Sequence, residues 1–80
     1  MELIVGKIYI FRNGRMIWEG KNVDSTTKGI KKNSSFLIVE KDVLHHNRIC
    51  VRGLTSCGFI GWVISSYKPE DLFEELQEQQ

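Results

Sequence analysis

Up to residue 68 the apolar residues of this chain fall in short runs rich in β-branched and aromatic side chains, separated by polar punctuation. The run Leu3-Ile4-Val5-Gly6-Lys7-Ile8-Tyr9-Ile10-Phe11 ends at Arg12-Asn13-Gly14-Arg15. Asn-Gly between two such runs predicts a hairpin with a type I′ turn, because both residues tolerate positive φ. The returning strand is Met16-Ile17-Trp18-Glu19, with Met16 and Trp18 on one face and Ile17 on the other. From Gly20 to Ser35 the chain is polar and reads as a long exposed loop. Phe36 to Glu40 is a strong strand, and Asn47 to Arg52 is another, with Arg48, Cys50 and Arg52 alternating with Ile49 and Val51. Gly53-Leu54-Thr55-Ser56 is expected to turn the chain, and Phe59 to Ile64 returns it.

Five short strands predict an all-β fold, and at this length a small five-stranded barrel over residues 1–68. The last segment, 69–80, changes character. Pro69 suits a first helical position, Glu70 and Asp71 complement the positive end of a helix dipole, and Leu72, Phe73 and Leu76 form an apolar stripe at i, i+1 and i+4. The expectation is an acidic C-terminal helix of about eleven residues, marginal alone, which has to dock on the barrel, a second copy or a partner.

Charge sharpens this division. All 11 bases lie in residues 1–68 against five acids, about +6, whereas residues 69–80 hold Glu70, Asp71, Glu74, Glu75 and Glu78 and no base, −5. Eighty residues, 41% of them hydrophobic, make one domain with a modest core and little room for a deep catalytic cleft. No apolar run reaches the roughly 18 residues that span a bilayer, and the N-terminus lacks an export pattern, so a cytoplasmic protein without membrane contact is expected.

Candidate chemistry is sparse. Cys50 and Cys57 are too few for the disulfide framework of small secreted domains and read as reduced thiols. His45, His46, Cys50 and Cys57 include zinc-type ligands, but adjacent strand residues point to opposite faces and His46 to Cys50 spans about 13 Å. No metal or other cofactor is therefore expected. No nucleophile motif surrounds either cysteine, and the glycines at 53, 58 and 61 do not open a helix as a phosphate loop would. The chain is expected not to be an enzyme.

Binding residues are easier to nominate. Trp62 has apolar neighbours and reads as a packing residue, whereas Trp18, between Ile17 and Glu19 on a basic hairpin, is the better exposed anchor. Arg12, Arg15, Lys21, Lys28, Lys31 and Lys32 come from that hairpin and the loop after it and would form a basic patch suited to phosphates.

Two segments resemble a known family. Gly61-Trp62-Val63-Ile64-Ser65-Ser66-Tyr67 resembles the closing strand and short 3₁₀ turn of bacterial SH3 domains, and Ile30 to Glu40, opening with Lys31-Lys32, looks like the lead-in to the central strands of SH3-like domains. KOW-like and Tudor-like barrels, which begin with a strand like Val5-Gly6-Lys7-Ile8-Tyr9, are relatives. The resemblance implies an SH3-like barrel that binds, with Tyr67 as a ligand-facing aromatic at the turn. Ile64 stands where proline-peptide-binding SH3 domains carry proline.

The resulting expectation is a small intracellular adaptor or modulator, a monomer or small homo-oligomer. It would dock on a protein partner through Trp18, Tyr67, Leu72, Phe73 and Leu76. Modulators that phages and mobile elements direct at host enzymes are of this compact kind. The alternative is a KOW- or Tudor-like nucleic-acid binder that uses the basic patch and an exposed aromatic.

Overall fold

The computed structural model describes residues 1–22, 24–42 and 48–76. His45 and His46 lie outside the described residues. Among those described, the protein is all-β, with strands β1 (Ile8–Phe11), β2 (Arg15–Trp18), β3 (Thr27–Ile30), β4 (Ser35–Lys41), β5 (Ile49–Thr55) and β6 (Ile60–Ser65). A single helical turn, α1 (Pro69–Leu72), leads into β7 (Phe73–Glu75). The strands form one antiparallel sheet in the order β3-β2-β6-β5-β4-β1-β7. Its two end strands are not paired with each other, so the closed five-stranded barrel expected from sequence is replaced by an open seven-stranded sheet. That sheet nevertheless curls, because Ile30 on β3 and Phe73 on β7 belong to one continuous apolar cluster.

Alternation builds the core. Tyr9 and Phe11 on β1, Phe36 and Ile38 on β4, Val51 on β5 and Val63 on β6 are all buried. At the centre is an aromatic group in which the Phe73 ring lies 5.0 Å from Phe11, 5.8 Å from Phe36 and 5.9 Å from Tyr9. The Tyr9 hydroxyl reaches the cluster's edge, where it accepts from the Ile4 N–H (2.9 Å) and donates to the Glu2 carbonyl (3.2 Å), so its burial leaves no polar atom unsatisfied.

Four expectations change. The Asn13-Gly14 turn does not make a hairpin: β1 pairs with β4 and β7, and β2 pairs with β3 and β6. Neither Asn13 nor Gly14 adopts positive φ, which a type I′ turn requires; instead the turn carries the chain from one part of the curled sheet to another. The stretch expected to be a loop from Gly20 to Ser35 contains β3, which lies alongside β2 with Trp18 opposite Thr27 and Arg15 opposite Ile30. Gly53 is not in a turn but inside β5, and the chain reverses after Thr55 with Gly58 at φ 87°.

The last change concerns the tail. The helix expected over 69–80 lasts one turn, ending where the Phe73 N–H bonds to the Pro69 carbonyl. β7 then pairs with β1, setting Phe73 opposite Phe11 and Glu75 opposite Tyr9. A short helix is marginal by itself, whereas pairing with the free side of β1 satisfies backbone groups and buries Phe73 completely. The acidic segment is thereby docked on the body of the protein. Glu70 lies 3.5 Å from the N-terminal amine, Glu74 2.8 Å from the Arg12 guanidinium and Glu75 3.2 Å from Lys7.

Candidate functional site

Of the residues nominated for binding, Tyr67, Leu72 and Trp18 contribute to one side of the molecule. Tyr67 follows β6 in the bend before α1 and is 66% exposed. With Leu72 and Asp71 from α1, and Asn13, Gly14 and Arg15 from the turn into β2, it lines a cavity of about 540 Å³. Arg15 is half-buried there, with its guanidinium 3.5 Å from the carbonyls of Met16 and Ile64, and burial pulls its pKa down from the usual arginine range. No carboxylate forms an ion pair with it among the described residues.

Ile64, whose carbonyl accepts from Arg15, lines a second hollow, of about 240 Å³, with Trp18, Lys21 and Asn22. Trp18 is half-buried and sits directly across the β2–β6 pairing from Trp62. Trp62 is buried, as its apolar neighbours suggested, yet it lies outside the continuous apolar cluster. The Lys21 ammonium stands 4.9 Å and the Arg52 guanidinium 5.8 Å from its ring centroid, so cations cover it. Lys21 is itself held by the Asp42 carboxylate, which together with the charges of nearby acids raises its pKa. Two hollows result, one lined by Leu72, Tyr67 and Arg15 and the other by Ile64, Trp18 and Lys21, linked by the hydrogen bond from Arg15 to the Ile64 carbonyl.

Phe73 and Leu76 do not join this face. Phe73 is fully buried among Tyr9, Phe11 and Phe36, so its nomination as a binding residue is corrected: it holds the fold together. Leu76 is exposed at the other edge of the sheet, where it lines a hollow with Met1, Ile10 and Arg12.

The basic residues are also dispersed. Arg12 donates from Nε to the carbonyls of Glu70 (2.7 Å) and Phe73 (3.2 Å) and from its terminal nitrogen to Glu74, which makes it a clamp on the tail. Lys21 is engaged by Asp42. Lys28 and Lys31 share a hollow of about 360 Å³ with Ser34, Ser56 and Cys57, and Lys32 is exposed nearby in sequence. A comparison with family models, curated proteins and solved structures finds no match. The reading of this face therefore rests on its geometry.

The two thiols differ. Cys50 is buried opposite Ile64, and desolvation raises its pKa. Cys57 is exposed, and the Thr55 hydroxyl 3.1 Å away stabilises its thiolate and lowers its pKa. Native alkylation with iodoacetamide at neutral pH is expected to modify Cys57 alone, with Cys50 reacting only after unfolding; peptide mapping by mass spectrometry checks this. Among the described residues no group of three His, Cys, Asp or Glu is placed to hold a metal ion, and no helix is long and apolar enough to cross a membrane.

Proposed function

We propose that the chain is a non-catalytic binding module of the SH3-like kind that docks on a protein partner through the side carrying Tyr67 and Trp18. The observation that carries this reading is that the exposed Tyr67 lines one cavity with Leu72 and the half-buried Arg15. Exposed aromatics next to arginine are the groups that dominate protein interfaces, since each offers a large contact area with a polar handle. Arg15 is carried by β2, and Tyr67 by the bend that joins β6 to α1, where its N–H bonds to the Ser65 hydroxyl. The curled antiparallel sheet, and the placement of Gly61-Trp62-Val63 on a strand that runs into a short helical turn, support the SH3-like part of the reading. A modulating role follows the same logic, because a chain this small acts on a partner chiefly by occupying part of its surface.

The nucleic-acid reading retains one supporting observation: Lys28, Lys31 and Lys32 form no ion pair among the described residues. One experiment separates the two. Immobilised full-length protein is incubated with lysate, with and without nuclease treatment, and wild type is compared with Tyr67→Ala and with the double variant Lys31→Glu, Lys32→Glu. Protein docking predicts a stoichiometric, nuclease-resistant partner whose affinity falls about tenfold or more with Tyr67→Ala and is unchanged by the lysine variant. Capture of nuclease-sensitive material only, lost with the lysine variant and steeply salt-dependent, would overturn it. Truncation after Lys68 is unsuitable here because it also removes Phe73 from the core.

A further inference from the structure

Asn13 and Gly14, freed from the hairpin their sequence suggested, stand between two anchored ends. The Arg12 N–H before them is held by the Leu72 carbonyl (2.9 Å), and Arg15 after them opens β2 opposite Ile30. Among the described residues neither Asn13 nor Gly14 enters a main-chain hydrogen bond, and the Asn13 side-chain amide has no partner. Both residues are exposed. An asparagine carboxamide thus lies next to a main-chain nitrogen that nothing engages. Glycine has no side chain to shield that nitrogen, and it allows the backbone rotation that brings the two groups together.

We propose that Asn13 is a self-modifying site, at which the Gly14 nitrogen attacks the Asn13 side chain and its amide is converted into a carboxylate in the cavity that holds Arg15 and Tyr67. In the first step a bond forms between the Gly14 nitrogen and Cγ of Asn13 while the bond from Cγ to Nδ2 breaks. Ammonia departs with the proton that the Gly14 nitrogen gives up. Water then opens the resulting imide ring, its hydroxyl joining a ring carbonyl carbon and its remaining proton returning to the nitrogen. Opening at Cγ restores the main chain and leaves isoaspartate's alternative, aspartate; opening at the Asn13 main-chain carbonyl leaves isoaspartate. Either product carries one carboxylate.

The fold separates Asn13 from the other asparagines. Asn33 is exposed too, but the N–H of the next residue, Ser34, donates to the Lys31 carbonyl (3.2 Å), so attack there first has to break a hydrogen bond. Asn22 and Asn47 precede Val23 and Arg48, whose side chains crowd the attacking nitrogen as glycine does not. The product also changes the charge of the cavity. Asn13, Arg15 and Asp71 line it together, one base against one acid, and a carboxylate at position 13 makes that two acids against one base. Regulation follows, and this step rests on the docking reading above: a guanidinium that pairs with residue 13 is withdrawn from a partner, so the chain passes with time into a weaker-binding form.

The test keeps the full-length protein in mildly alkaline buffer at physiological temperature, samples it over days and maps its peptides by mass spectrometry. Asn13 is expected to convert at least about tenfold faster than Asn33, and this ratio is expected to exceed that in urea, where the bond between Ser34 and Lys31 is gone. Gly14→Ala is expected to slow the conversion. Because its β-carbon would lie 3.2 Å from the Ile30 carbonyl oxygen, Asn13→Gln, which leaves the main chain as it is, serves as the second block and is expected to abolish most of the ammonia release. Equal rates at Asn13 and Asn33 in the folded chain, or an Asn13 that stays intact, would overturn the site. The charge consequence is read without a partner: in Asn13→Asp the Arg15 Nε–H signal in a proton–nitrogen NMR spectrum is expected to move while that of Arg52 stays in place. An unmoved Arg15 signal would overturn the switch and leave the docking reading, which the lysate comparison tests, as it stands.

Discussion

Phe73→Ala is expected to lower the stability of the chain by about 3–5 kcal/mol, the usual cost of emptying a fully buried phenylalanine site. The site cannot collapse easily, because its walls are the rings of Tyr9, Phe11 and Phe36, each held by a paired strand. A domain of this size has on the order of 4–12 kcal/mol in total, so the loss takes a large share. In a urea titration followed by tryptophan fluorescence the midpoint is expected to fall by about 2 M or more. Leu76→Ala, three residues on and exposed, is expected to stay within about 0.5 kcal/mol of wild type. Equal, small effects of the two substitutions would mean that β7 is not seated on β1, and the account of the tail would fail with it.

That tail shows where sequence reasoning reached and where it stopped. The apolar positions 72, 73 and 76 were visible, and so was the start of a helix at Pro69. Both a helix and a strand accommodate a tripeptide such as Phe73-Glu74-Glu75; the choice is made by the free side of β1, which is a tertiary fact. The same holds for Asn13-Gly14. The pair suits a tight hairpin, yet β4 and β7 occupy both sides of β1, and β2 finds its neighbours elsewhere. Thr27-Lys28-Gly29-Ile30 was hidden for a different reason: an edge strand with three of its four residues exposed has no apolar alternation to betray it. The strands with a buried face, β4, β5 and β6, were legible within a few residues.

The candidate face was legible only in part. Tyr67, Trp18 and Arg15 could be nominated by type, but their proximity depends on the non-hairpin path between β1 and β2, which turns Arg15 towards Ile64 and leaves Gly14 against the backbone of Ile30. The acidic tail bears on this face indirectly. Glu70, Glu75 and Glu74 pair with the N-terminal amine, Lys7 and Arg12, while Asp71 lines the cavity together with Arg15 and α1 brings Leu72 beside Tyr67. A segment expected as a helix docked on the barrel, a second copy or a partner thus completes the sheet and one side of the cavity.

Gly53→Ala is the second substitution expected to have a large effect, about 3 kcal/mol, and the reason lies in the same aromatic cluster. A β-carbon at position 53 would stand 2.5 Å from Cζ of Phe36 and 2.6 Å from the carbonyl oxygen of Leu37. Neither neighbour has freedom to retreat: Phe36 is fully buried against Phe11 and Phe73, and Leu37 belongs to the β4–β5 pairing. Glycine is thus required in this strand for space, not for a turn, which explains why a turn was expected there. Gly29→Ala is the matched control, since its β-carbon would make only an ordinary contact, 3.6 Å, with the Met16 sulfur. Thermal unfolding is expected to place Gly53→Ala about 12–24 °C below wild type and Gly29→Ala within a few degrees of it. If the two alanines behaved alike, the Phe36 ring could not lie over β5, and the cavity into which Phe73 closes would have to be built from other walls.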